Sequence, residues 1–236
     1  MKIINLILDI ISPGWCVSCN RPVRREERFV CETCKNDIRF VDECCPICSG
    51  VLIDDKCEIC GDREIYFDQN IAVMEYEHTV KALIGGYKFG SRKRMAELIA
   101  NLCMDKASVL LEKTDCITSV PSSPKKKWKR GFNQSEEIAR IIARNSNIQY
   151  IEMLNEIGHA EKQKSLGFSN RFLNVLGRYD LSKKAKSHAK CSVLIVDDVF
   201  TTGATINECA RILKNVGFNP IFSLTAARVG IKRLEK

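Results

Sequence analysis

Two adjacent carboxylates, four pairs of cysteines and a run of cations are the residues of this 236-residue chain with chemistry to offer. The carboxylates are Asp197 and Asp198, inside VLIVDDVFTTGAT, Val193 to Thr205. Four apolar residues lead into them, and a loop of hydroxyls and glycine follows. Side chains alternate between the two faces of a strand, so the pair needs a relaxed strand end for both to address one space. There they would repel unless a positive or hydrogen-bonding group met them. A sugar diol supplies two O–H donors, and Mg²⁺ supplies charge. Thr201, Thr202 and Thr205 add hydroxyls, while Gly203 and Ala204 keep the backbone accessible. A helix starting here would turn its free N–H groups and positive dipole end outward, a cradle for phosphate. Diol and phosphate side by side describe a ribose 5-phosphate. A P-loop would need GxxxxGK[ST], and no lysine stands in this loop; GxGxxG is absent. The bland alternative is a solvated strand end before a capped helix. The conjunction of apolar strand, DD, TTGAT and immediate helix argues against it.

Thirteen cysteines are present, nine of them between Cys16 and Cys60. Eight form CxxC pairs: Cys16 and Cys19, Cys31 and Cys34, Cys45 and Cys48, Cys57 and Cys60. A CxxC turn aims two thiolates at one metal, and two such turns complete the tetrahedral sulfur set of a structural zinc. The pairs are expected to join in sequence, first with second and third with fourth, holding two zinc ions; a cross-braced scheme is the alternative. An iron–sulfur cluster fits the regular spacing less well. A closed four-sulfur site leaves no open position for chemistry, so this module is structural or a binding platform. Cys44 is a spare, and Cys103, Cys116, Cys191 and Cys209 read as small core residues.

Composition shifts near residue 65, which divides the chain into residues 1–65 and 66–236. After the shift, apolar strands alternate with helical patterns. Strands are expected at Asn70–Tyr76, Cys116–Val120, Ile148–Leu154, Ser192–Asp197 and Asn219–Val229. Helices are expected at Arg92–Lys113, Gln134–Asn145 and Thr205–Gly217, the last closed by Gly217. This order implies an α/β fold, a parallel sheet with helices on both faces, and ligands bind beyond the carboxyl ends of such strands.

The net charge is +8, which favours anionic partners. Lys125, Lys126, Lys127, Lys129 and Arg130 crowd around Trp128. Three readings stand open: cations that neutralise a diphosphate, lysines that track a nucleic-acid backbone while Trp128 stacks on a base, or a solvated loop. The N-terminal MKIINLILDII is too short to span a bilayer and carries no cleavage site. It reads as an amphipathic helix docked on the body, with a membrane-surface anchor as the alternative. A cytoplasmic protein is expected.

VLIVDDVFTTGAT resembles the signature of type I phosphoribosyltransferases, which bind 5-phosphoribosyl 1-diphosphate (PRPP). The order of the cysteine finger, YKFGSRKRMAELIA, VPSSPKKKWKRGFNQSEEIA, EKQKSLGFSNRFLNV and VLIVDDVFTTGAT resembles the ComF family, competence-associated proteins of phosphoribosyltransferase type. The resemblance implies a phosphoribosyltransferase-like sheet behind an N-terminal double zinc ribbon. It implies PRPP binding with Mg²⁺ and transfer of the phosphoribosyl group to an unidentified acceptor, a pentosyltransferase reaction tied to DNA uptake. By it, Asp197 and Asp198 are the catalytic pair on the ribose hydroxyls, and Thr201, Thr202, Gly203, Ala204 and Thr205 hold the 5-phosphate. Lys88, Ser122, Lys125 and Arg130 fall on the diphosphate or nucleic-acid side. Glu161 to Val175 corresponds to a flap over the site; Gln163, Arg171 and Asn174 match the family pattern. The rival reading is a protein without turnover that handles single-stranded DNA and keeps the fold for a nucleotide or sugar phosphate.

Overall fold

The computed structural model describes residues 14–23, 29–42, 45–50, 52, 57, 60, 63–87, 92–124, 127–128, 131–157 and 175–230. The N-terminal apolar run, Cys44, Lys88, Lys125, Lys126, Lys129, Arg130 and most of the expected flap lie outside them.

Five parallel strands make the central sheet. They are β3 (Gln69–Glu75), β4 (Cys116–Ser119), β5 (Gln149–Tyr150), β8 (Val193–Phe200) and β9 (Ile221–Arg228), in the order β3-β9-β8-β4-β5. Hydrophobic runs buried on both faces are what a parallel sheet demands: Val193 to Val196 and all of β9 are buried. The sheet divides the core into two clusters. On one face lie α2 (His78–Tyr87), α3 (Arg92–Leu111) and α4 (Gln134–Ser146), contributing Leu83, Ile84, Ile99 and Ile142. On the other lies α5 (Ala204–Asn215), contributing Ile206, Cys209, Ala210 and Leu213. Helix α5 ends as its sequence dictates: Gly217 takes φ 101°, and the Phe218 amide reaches back to the Leu213 carbonyl at 3.2 Å.

Two expected strands differ. Ile148–Leu154 divides into β5 and β6 (Leu154–Glu156), the latter pairing antiparallel with β7 (Tyr179–Leu181). This hairpin brackets the undescribed residues 158–174, and its closure rests on Arg178, whose Nε donates to Glu156 Oε1 at 2.7 Å. The central strand also outruns its expected end. It continues through both aspartates to Phe200, because β9 keeps pairing with it, Asp197 opposite Thr225 and Phe200 opposite Arg228.

The cysteine-rich segment carries β1 (Gly14–Trp15), β2 (Pro22–Val23) and α1 (Glu32–Asn36). It leans on the free edge of β3. Val41 donates to the Val73 carbonyl at 3.0 Å, and Glu75 donates to the Arg39 carbonyl at 2.9 Å. Among the described residues, no helix is long and apolar enough to cross a membrane.

Candidate functional site

The cysteines assemble as two groups. Cys16, Cys19, Cys31 and Cys34 form one, and Cys45, Cys48, Cys57 and Cys60 the other, with the sulfurs of each group all within 4.8 Å of one another. Pairing is therefore sequential rather than cross-braced. A tetrahedral zinc with metal–sulfur bonds of about 2.3 Å has sulfur–sulfur edges of about 3.8 Å. The sulfurs of Cys19 and Cys31 stand 3.7 Å apart, those of Cys45 and Cys60 3.5 Å, and those of Cys48 and Cys57 3.4 Å. These separations suit ligands of one ion and are far too long for a disulfide. The thiols also need a cation. Burial pushes Cys34 and Cys48 up to about 12, with neighbouring sulfurs adding to the effect. Burial acts on Cys16 in the same sense, but the amides of Cys19, Cys31 and Ser18 outweigh it and hold this thiol at about 6. A centre of mixed preference becomes uniformly thiolate when a metal is bound. Both groups can hold zinc, as eight ligands of two ions.

The second candidate site lies along the carboxyl edge of the sheet. Asp197 and Asp198 are half-buried in β8. Because the strand does not end before them, they diverge toward flanking elements instead of sharing one relaxed end. Asp197 Oδ1 accepts from Ser135 Oγ at 2.7 Å, at the start of α4, and from the Asp198 amide at 2.9 Å. Asp198 acts on the other side of the edge: burial raises the Tyr76 phenol, and the Asp198 carboxylate raises it further. Two hydroxyls near this edge, Ser122 Oγ and Thr225 Oγ1, are buried without a hydrogen-bond partner among the described residues. Thr225 stands directly beside Asp197 in register. Buried polar groups are nearly always hydrogen-bonded, so a polar occupant at this edge would find open partners in these two hydroxyls.

The loop after β8 turns sharply into α5. Gly203 caps the helix at φ 79°, and a Cβ there would lie 2.6 Å from Phe200 Cζ. Only glycine fits. The five loop residues are not equivalent. Thr202 is buried, and its hydroxyl accepts from the Ala204 amide at 3.3 Å, so that pair closes the loop on itself. Thr201 and Thr205, on either side of the helix start, are less buried.

The remaining predicted residues scatter. Lys88, Lys125 and Arg130 fall outside the described residues. Ser122 stands just past β4, with Asn133 tying the RGFNQ block to that strand through a 2.9 Å bond from its Nδ2 to the Val120 carbonyl. Lys127 is partly neutralised, 3.5 Å from Glu136 on α4. Trp128 is 89% exposed.

Comparison with known proteins gives relatives along most of the chain. It is 24% identical over 214 residues to competence protein F of Haemophilus influenzae, covering 87% of this chain and 93% of that one. It is 26% identical over 213 residues to DNA utilization protein YhgH of Escherichia coli, with 87% and 92% covered. Competence protein ComFC of Streptococcus pneumoniae is 22% identical over 212 residues, with 87% and 90% covered. Along most of its length the chain is similar to these competence and DNA-utilization proteins, in keeping with the ComF resemblance of its motifs. No family model matches it. Among solved structures, the allosteric regulatory enzyme of purine biosynthesis aligns with a TM-score of 0.41 and 18% identity, covering 60% of this chain and 29% of that one.

Sequence reasoning missed three residues that the fold brings to this candidate site. Ser135 follows the RGFNQ block, where a serine reads as part of a helix start; only the fold shows it bonded to Asp197. Arg63 reaches the Thr202 carbonyl of the loop after β8, and Asn207 of α5 bonds the Tyr66 amide, from positions far apart in sequence, and no local pattern announces them.

Proposed function

We propose that this protein binds a 5-phosphoribosyl ligand of the PRPP type at the carboxyl edge of its central sheet. The observation that carries the reading is the carboxylate pair of β8 running directly into a glycine-capped helix start. Asp197 and Asp198 would take the ribose hydroxyls, with Ser135 fixing the orientation of Asp197. Thr201, Thr205 and the first amides of α5 would take the 5-phosphate, where the helix dipole favours negative charge. Ser122, Lys88, Lys125 and Arg130 belong on the diphosphate side in this reading. Mg²⁺ would enter with the ligand, supplying charge between the diphosphate and the Asp197–Asp198 pair. Zinc would serve structure only, since four thiolates close each centre.

Turnover is the further step. An acceptor nucleophile would form a bond to C1 of the ribose as the C1–O bond to diphosphate breaks and diphosphate leaves. The protein's part is positioning and charge stabilisation. Titration calorimetry with PRPP, with and without Mg²⁺, tests the reading. Wild type binds with Mg²⁺ dependence, and the Asp197→Asn, Asp198→Asn double variant loses binding while keeping its fold. Equal affinity in the variant would sink the site assignment.

A second reading has its own observation. Trp128 is 89% exposed in a segment rich in lysine, which suits base stacking beside a backbone contact. The relatives' names speak of competence and DNA utilization. Single-stranded DNA is then the partner, and Trp128→Ala would weaken its binding several-fold.

A further inference from the structure

The second cysteine centre touches the loop after β8. Arg63 stands three positions past Cys60, and its amide donates to the Cys60 carbonyl at 3.2 Å. Its Nη1 donates to the Thr202 carbonyl at 3.4 Å. The adjoining residues hold the first turn of the helix that follows this loop. Asn207 Nδ2 donates to the Glu64 carbonyl at 2.9 Å, and Asn207 Oδ1 accepts from the Tyr66 amide at 2.8 Å. Asn207 is buried in the first turn of α5, so both arms of its amide hold the segment that leaves the cysteine centre. A third link comes through β9. Arg228 Nε donates to the Cys48 carbonyl at 2.8 Å, and Arg228 stands beside Phe200 in register. Phe200 is the ring beneath Gly203, and it packs in one cluster with Cys45, Cys48 and Ala204. The first centre has other company: Val73, Val80 and Leu83, with Ser18 Oγ 3.1 Å from Thr79 Oγ1.

We propose that Arg63 and Asn207 are positioning residues that make the shape of the Thr201–Thr205 loop depend on the second cysteine centre. A closed metal centre fixes Cys60 and the chain just beyond it. Arg63 passes that constraint to the Thr202 carbonyl, and Asn207 passes it to the first turn of α5. A loop already held in its binding shape loses less freedom when an anion arrives. Metal occupancy of the second centre therefore raises affinity at the loop, although no cysteine touches the ligand. The first centre lacks this effect. For its ligand arm, the proposal rests on the phosphate reading of the loop; its exchange arm does not.

The test uses the full chain with both centres metal-loaded, comparing wild type, Arg63→Ala and Arg63→Lys. Amide hydrogen exchange is followed on peptides covering residues 200–207, and PRPP with Mg²⁺ is titrated alongside. At 3.4 Å the Arg63 bond is a weak one, and loss of a bond of ordinary net strength corresponds to a change of roughly threefold to tenfold. Arg63→Ala is expected to speed exchange in the loop by that factor and weaken PRPP binding by a similar one, with both metals retained. Arg63→Lys, which keeps a charged donor, restores part of each. Unchanged exchange in Arg63→Ala overturns the coupling. Faster exchange with unchanged affinity overturns the positioning role. Loss of the second metal from Arg63→Ala reverses the proposed direction and overturns it too. If wild type binds no PRPP, the proposed function fails, and the exchange arm alone still decides the coupling.

Discussion

The two cysteine centres have the same ligand set and different neighbours. The first is embedded with Val30, Ile38, Val73 and Leu83, on the face of the sheet covered by α2, α3 and α4. The second is embedded with Phe67, Phe200 and Ala204, on the face that carries the loop and α5. One module thus straddles the edge strand β3 and reaches both halves of the core. The difference teaches that a structural metal acts through whatever it packs against. The first centre anchors scaffold, whereas the second anchors scaffold and the neighbourhood of the candidate ligand site.

The strongest way to break this comparison is to remove one metal at a time. The wild-type chain is expected to hold about two zinc ions, and Cys34→Ser or Cys60→Ser about one each, by elemental analysis. Each variant should lose about 10–20 °C of thermal midpoint, read by calorimetry. Equal effects of both on ligand affinity would erase the distinction drawn here. Core truncation sharpens it at smaller cost. Ile84→Ala in the first cluster and Phe200→Ala in the second should each destabilise by about 2–5 kcal/mol in urea unfolding. Phe200→Ala should also weaken PRPP binding, while Ile84→Ala leaves it within twofold of wild type. The finest probe is Gly203→Ala. Its Cβ would meet the Phe200 ring at 2.6 Å in a left-handed backbone, a local strain of about 1–3 kcal/mol. Stability should fall modestly and ligand affinity more clearly; an unaltered affinity would show that the loop tolerates another shape.

Much of this was readable from residues. CxxC pairs are local, so the four pairs and their sequential grouping were the expectation, while a cross-braced scheme stayed open until the fold brought the sulfurs together. The run Val193–Val196 declared a buried strand, and the TTGAT after it declared the start of a helix. What escaped was contact between distant segments. Arg63 and Thr202 lie 139 positions apart, Asp197 and Ser135 62 apart. The length of β8 escaped for a similar reason: ladder pairing with β9 carries it past two aspartates that local propensity would place at its end. Helix α2, interrupted by Gly85 and Gly86, also went unread, since glycine pairs weaken a helical pattern.

The place of β9 in the sheet bears on how the protein is born. It lies between β3 and β8, so it joins β8, made just before it, to β3, made long before. Asp68, at the foot of β3, accepts from the amide of Ile221, 153 positions later. A nascent chain leaving the ribosome therefore offers the cysteine module and β3 as one early piece and β4, β5 and β8 as another. Nothing in the sheet connects the pieces until β9 slots between them. Such late, non-local closure is slow and leaves strand edges open meanwhile. The interval is bridged on one side, because residues 39–41 already cover the outer edge of β3. The inner edge waits for the arriving strand, and the Arg228 bond to the Cys48 carbonyl forms only when that strand is in place.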